Sequence, residues 1–146
     1  PWTTSLSGLE YTLLYEERSN LYCSHHHPLA LHSGAINKNM ILEANAVVPN
    51  YPMTEQAVAM HKLLNCTATA SDREGIAFLI MTGAYIGFLP THYASNWLSK
   101  GEMTELDVGS QYFNTRLALV TRQGRRANSV LESFLSFIDL DSTVVN

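Results

Sequence analysis

The sequence predicts an α/β domain, and three observations carry that reading. Ala46-Val47-Val48, Cys66 to Ala70 and Tyr85 to Leu89 have the composition of short buried strands. Two stretches of helical character lie between them, one opening at Thr54 and the other at Ser71, so strand and helix alternate. The chain of 146 residues, 46% hydrophobic and 15% charged, has enough apolar material for one ordinary core.

Taken in order, Trp2 to Gly8 is rich in Ser and Thr and reads as a linker over residues 1–8. Glu10 to Cys23 reads as a strand pair, with Tyr11, Leu13 and Tyr15 on one face, then Leu21 and Cys23. Glu16, Glu17 and Arg18 mark a solvated bend between the two. His25-His26-His27-Pro28 forms a turn, Ala30 to Asn39 is a polar connection, and Met40 to Asn45 is ambiguous. Pro49-Asn50 stops the strand at Ala46. Thr54 caps a helix with Met53, Ala57, Met60 and Leu64 on one stripe.

Ser71 or Asp72 caps the central helix, and Asp72 and Glu74 place negative charge at its positive end. From Ile76 to Met81 every residue is apolar, which predicts a helix buried on all sides. Thr82-Gly83 ends it. Gly87 then allows close approach of a neighbouring backbone, and Pro90 ends the strand. A short helix, Thr91 to Leu98, a strand, Met103 to Val108, and another strand, Phe113 to Thr121, follow. A basic turn, Arg122 to Arg126, leads to a helix capped at Asn128 or Ser129, with Val130, Leu131, Phe134, Leu135, Phe137 and Ile138 as a broad apolar stripe. The tail from Asp139 reads as loose.

Several function classes find no support. Net charge is −4, which argues against general nucleic-acid affinity, although Arg116, Arg122, Arg125 and Arg126 form a local basic cluster. No apolar run reaches the roughly 20 residues of a membrane helix, and Pro1 is not followed by a secretion signal, so the expected location is cytoplasmic. Cys23 and Cys66 fit no metal spacing and read as reduced, buried thiols. Adjacent histidines on an extended segment point to opposite faces, so His25-His26-His27 does not predict a metal site. No nucleophile-elbow or dinucleotide fingerprint occurs. The expectation is no metal, no cofactor and no catalysis.

Certain residues in a fixed order carry a resemblance. Tyr15-Glu16-Glu17, then His27-Pro28-Leu29-Ala30, then Gly83-Ala84-Tyr85-Ile86-Gly87-Phe88-Leu89-Pro90 resemble the effector-binding domain of LysR-type transcriptional regulators. Leu117 to Thr121 and the helix with Phe134-Leu135-Ser136-Phe137 sit where that family has its closing strand and helix. The resemblance covers about Leu9 to Ile138. It implies a periplasmic-binding-protein-like (type II) fold, in which two lobes hold a small effector in the cleft between them. Residues 9–110 would be the second lobe and 111–146 a strand-helix return to the first. The family's DNA-reading domain and the start of the first lobe would lie upstream of Pro1. DNA would then be met only through that N-terminal domain.

Effector contacts are expected where strands end and helices begin, because free N–H groups gather there. Pro49, Asn50 and Tyr51 form one such segment; Thr69, Ala70, Ser71 and Asp72 form the other, and the resemblance places second-lobe contacts in both. Apolar side chains of the return segment need cover, which predicts a homo-oligomer with Phe134 and Ile138 in the contact. Two other readings stay open: a small α/β hydrolase or transferase, or a lobe of a solute-binding protein.

Overall fold

A computed structural model of the chain describes residues 6–107, 109, 111–124 and 128–141. The elements are β1 (Leu9–Ser24), α1 (Lys38–Glu43), β2 (Asn45–Pro49), α2 (Glu55–His61), β3 (Asn65–Ala70) and α3 (Arg73–Met81). They continue with β4 (Gly87–Pro90), α4 (Thr91–Ser99), β5 (Met103–Glu105), β6 (Tyr112–Arg122) and α5 (Ser129–Asp141). The chain divides into two compact units, residues 17–115 and residues 1–16 with 116–146. The expected second lobe began at Leu9. Residues 9–16 group instead with the C-terminal segment, because β1 is one long strand that also pairs with β6.

The 17–115 unit is a mixed sheet with helices on both faces. β2 and β3 are parallel, with Val48 opposite Thr69 and Pro49 opposite Ala70. β1 pairs antiparallel with β4, Leu21 opposite Phe88, and with β5, Cys23 opposite Thr104. A parallel bridge between Ala46 and Ile86 joins the two sets: Val47 N–H donates to Ile86 O and Ile86 N–H donates to Asn45 O, each at 2.9 Å. The pleat divides the core in two. Leu21, Cys23, Ala46 and Phe88 meet Ile41 and Ala57 on one face, while Tyr22, Val47 and Leu89 meet Ile76, Ala77, Ile80 and Ala94 on the other.

Local signals explain most elements. Asn37, Thr54 and Asp72 cap α1, α2 and α3, each side-chain oxygen accepting from the N–H three residues on. Met40 to Glu43, ambiguous in sequence, is therefore helical. Gly87 is required by packing: a Cβ there would stand 2.7 Å from Val47 Cγ1 and 3.1 Å from Ile80 Cδ1. The close neighbours are side chains, not the backbone expected. Pro90 is the last residue of β4 and α4 follows at once. β5 stops at Glu105, Leu106 N–H makes one further bond to Leu21 O, and Val108, the expected end, lies outside the described residues.

Three expectations are corrected. No bend breaks β1 at Glu16 to Arg18, and Glu17 is buried rather than solvated. Its neighbours Glu16 and Arg18 point the other way along the pleat, so three charged residues in a row do not make a turn. α3 is not buried all round: Ile76, Ala77 and Ile80 face the sheet, but Phe78 is 70% exposed. Only one side of α3 has a sheet to meet. Cys23 is buried as expected, but Cys66 is exposed on β3, whose only strand partner among the described residues is β2.

The other unit contains the first half of β1, most of β6, and α5. Gln123 N–H donates to Gly8 O at 2.8 Å, and Arg116 Nε to Glu16 Oε1 at 3.3 Å. Asn128 caps α5, accepting from Val130 and Leu131 N–H. Arg125 and Arg126 of the basic turn, and the tail beyond Asp141, lie outside the described residues. So do Trp2 to Ser5 of the expected linker.

Candidate functional site

The 17–115 unit holds a cavity of about 140 Å³ at the carboxyl ends of β2 and β3. Its floor is one face of the sheet. Glu17, Ser19, Phe88, Pro90, Phe113 and Thr115 line it from β1, β4 and β6. Spacing by two keeps each strand's pair on one side, Ser19 stands opposite Pro90, and Phe88 and Phe113 share one core cluster with Leu21. Pro49 and Tyr51 to Thr54 form one wall, Ala57 of α2 closes the back, and Arg73 and Ile76 of α3 form the other wall. An open α/β sheet offers this location for a ligand, since strands end there and helices begin.

The charged centre is Glu17 with Arg73. Arg73 Nη2 donates to Glu17 Oε1 at 2.6 Å, and the Glu17 side chain is 3% exposed against 41% for Arg73. The second carboxyl oxygen, Oε2, is buried and accepts no hydrogen bond among the described residues. His92 Nε2 stands 3.8 Å from it, beyond hydrogen-bond reach. A buried acceptor without a donor is costly, so this oxygen marks a place where a partner is wanted.

Around the pair stand neutral donors and a rigid backing. Partial burial pushes the Tyr51 phenol up, with the Arg73 guanidinium acting against the rise and the carboxylates of Glu17, Asp72 and Glu74 adding to it. Tyr51 therefore keeps its proton at neutral pH and can donate it. Thr54 Oγ1 accepts from Ala57 N–H at 3.2 Å, which leaves its own proton to donate. Behind the cavity, Phe88 and Phe113 meet edge to face at 5.2 Å, and His61 packs on both rings at 5.0 and 5.9 Å. Burial lowers the His61 pKa, so a neutral ring donates Nδ1–H to Ala57 O at 2.8 Å. That bond fixes the aromatic backing.

The two expected segments lie side by side. Asn50 N–H donates to Ala70 O at 3.0 Å, and Asn50 Nδ2 donates to Ser71 Oγ at 3.1 Å. Of the named residues, Pro49 and Tyr51 line the cavity. Asn50, Ser71 and Asp72 are exposed beside them, Thr69 is exposed on β3, and Ala70 belongs to the core. Asp72 caps α3 through Gly75 N–H at 2.6 Å, while Ser71 does not. Sequence reasoning missed Glu17, Ser19, Arg73, Phe88 and Phe113. A signal for two of them was present: counting back by two from Leu21 and Cys23 puts Ser19 and Glu17 on the same inward face.

Two other cavities are less suited to a ligand. One of about 230 Å³, in the other unit, is lined by Glu10, Thr12, Leu119, Thr121, Glu132, Leu135 and Ile138. It is larger, but no buried side-chain atom there lacks a partner among the described residues. The second, about 60 Å³ beside Arg18, Asn20, Glu105 and Gln111, is of a size for water. Among the described residues no group of three metal-ligating side chains occurs, and no helix is long and apolar enough to cross a membrane.

Comparison with known proteins gives a consistent result. The profile of the LysR substrate binding domain matches residues 2–140. The HTH-type transcriptional activator BauR of Pseudomonas aeruginosa is 47% identical over 139 residues, which is 94% of this chain and 46% of the relative. The chain thus spans about half the length of that relative. Among solved structures, the bromide-bound regulatory domain of HypT from Salmonella typhimurium superposes with a TM-score of 0.71 at 17% identity, over 96% of this chain and 68% of that one. The regulatory domain of Synechocystis PCC6803 CcmR in complex with 2-PG gives 0.72 at 17%, over 94% and 68%. These two likenesses concern the fold, which is of the type II periplasmic-binding-protein kind.

Proposed function

The chain belongs to the LysR substrate-binding domain family, and from that premise we propose that its 17–115 unit binds the effector of a transcription regulator in the cavity lined by Glu17, Tyr51, Thr54 and Arg73. The observation that carries this reading is the convergence of polar groups on one apolar-floored hollow at the strand ends. The effector is a small metabolite, and the cavity of about 140 Å³ limits how much of it this wall can enclose. The mechanism is linkage: an effector that is held better in one arrangement of the regulator shifts the population toward it by its differential affinity.

In this reading the chain is a cytoplasmic sensor and not an enzyme. The hydrolase alternative would need a base beside Ser71, and the partner of that hydroxyl is the Asn50 amide. DNA recognition belongs to a helix-turn-helix part of the kind named in the relative BauR, and the protein works as a homo-oligomer.

A thermal-shift screen of small metabolites against the 146-residue chain tests the site. Ligands that stabilise the chain should bind Tyr51→Ala at least about tenfold more weakly, and Phe78→Ala, an exposed position outside the cavity, with unchanged affinity. Equal affinities for the wild type and Tyr51→Ala would count against the site.

A further inference from the structure

We infer that the ligand of this cavity carries a protonated amine, which donates to Glu17 Oε2. This deepens the proposed function and rests on it. Glu17 lines the cavity, its side chain is almost wholly buried, and only one of its two oxygens has a donor among the described residues. A carboxylate has about four acceptor sites, and Arg73 takes one of them through a single N–H. Other donors near the pair do not reach Oε2: His92 stops at 3.8 Å, and among the described residues nothing else bonds it.

The surroundings favour a cation over an anion. An anion entering to meet Arg73 would have to displace or face Glu17, which already holds that guanidinium at 2.6 Å. A cationic donor meets no such competitor. It also leaves the Arg73 contact in place, since the two would use different oxygens. Phe88, Phe113 and Ile76 supply an apolar lining suited to the alkyl part of a short amine. A charge-assisted bond in this sheltered place is worth more than one at the surface.

The experiment uses four-carbon probes of matched size: butylammonium, butan-1-ol and butyrate, titrated into the isotope-labelled chain while amide and methyl shifts of Tyr51, Thr54, Ile76 and Phe88 are followed by NMR. The expected result is that butylammonium shifts these residues at lower concentration than either other probe. Glu17→Gln should weaken butylammonium by about tenfold or more, the range for a hydrogen bond to a charged group. Arg73→Met, which removes the like charge beside the carboxylate without touching Oε2, should strengthen it. The Arg73 variant keeps the test sharp if Glu17→Gln folds poorly. Cavity shifts with no preference for the amine, or weaker amine binding in Arg73→Met, would overturn the amine inference and leave the cavity standing as a site. If none of the three probes moves the lining residues, the cavity itself is not a binding site and both readings fall.

Discussion

At the scale of single residues, Gly87 and the buried histidines carry consequences that can be measured. Gly87→Ala places a Cβ against Val47 and Ile80 and should cost about 1–3 kcal/mol, the range for overpacking a tight core. Urea unfolding would give the value, and a loss below about 0.5 kcal/mol would mean that the sheet yields. His27 and His61 both have pKa values lowered from 6.5 by burial. Below that value the unfolded chain binds protons that the folded chain cannot, so stability is full above about pH 6.5 and falls as pH drops. A melting temperature that stays flat from pH 7.5 to 5.5 would contradict this, and His61→Phe should make the fall shallower. Glu17 shows why a site residue can be illegible in sequence. Set between Glu16 and Arg18 it looks like one charge among three at a surface, and only the pleat of β1 turns it inward to Arg73, 56 positions on.

At the scale of elements, caps and punctuation were legible, and exposure was not. Thr54 and Asp72 stand where side-chain oxygens meet the first free N–H groups, and the helices begin there. Asp72→Ala should destabilise the chain by about 0.5–2 kcal/mol, whereas Ser71→Ala should cost less, because Ser71 caps nothing and only meets the Asn50 amide. Equal losses from the two changes would mean that Ser71 shares the cap. The error over α3 has a simple cause. A run of apolar residues says that some face is buried, but not how many neighbours the fold will supply. Here the sheet covers Ile76, Ala77 and Ile80, and Phe78 points to solvent. The two strand-end segments were legible because Pro49-Asn50 and Ser71-Asp72 punctuate the sequence. The cavity floor was not, since it is assembled from β1, β4 and β6, which are far apart in the chain.

At the scale of the whole molecule, the α/β alternation from Ala46 to Leu89 carried the fold, and the order of the family motifs carried the family. Self-association belongs to this scale. On α5, Val130, Phe134 and Phe137 are exposed, and covering each large apolar side chain is worth about 1.5–3 kcal/mol. Ile138 is half-buried beside the cavity with Leu119 and Leu135, so Phe134 is the more available of the two contact residues proposed. Sedimentation should give a mass that rises with concentration and falls back in Phe134→Ser. A single monomer at all concentrations would refute the contact.

If the effector sits in the cavity of the 17–115 unit, intermolecular NOEs will place it there. A metabolite that stabilises the chain in the thermal-shift screen should show NOEs from its protons to the rings of Tyr51 and Phe88 and to the methyl groups of Thr54 and Ile76. NOEs confined to Thr12, Leu119 and Leu135, which line the larger cavity of the other unit, would contradict it.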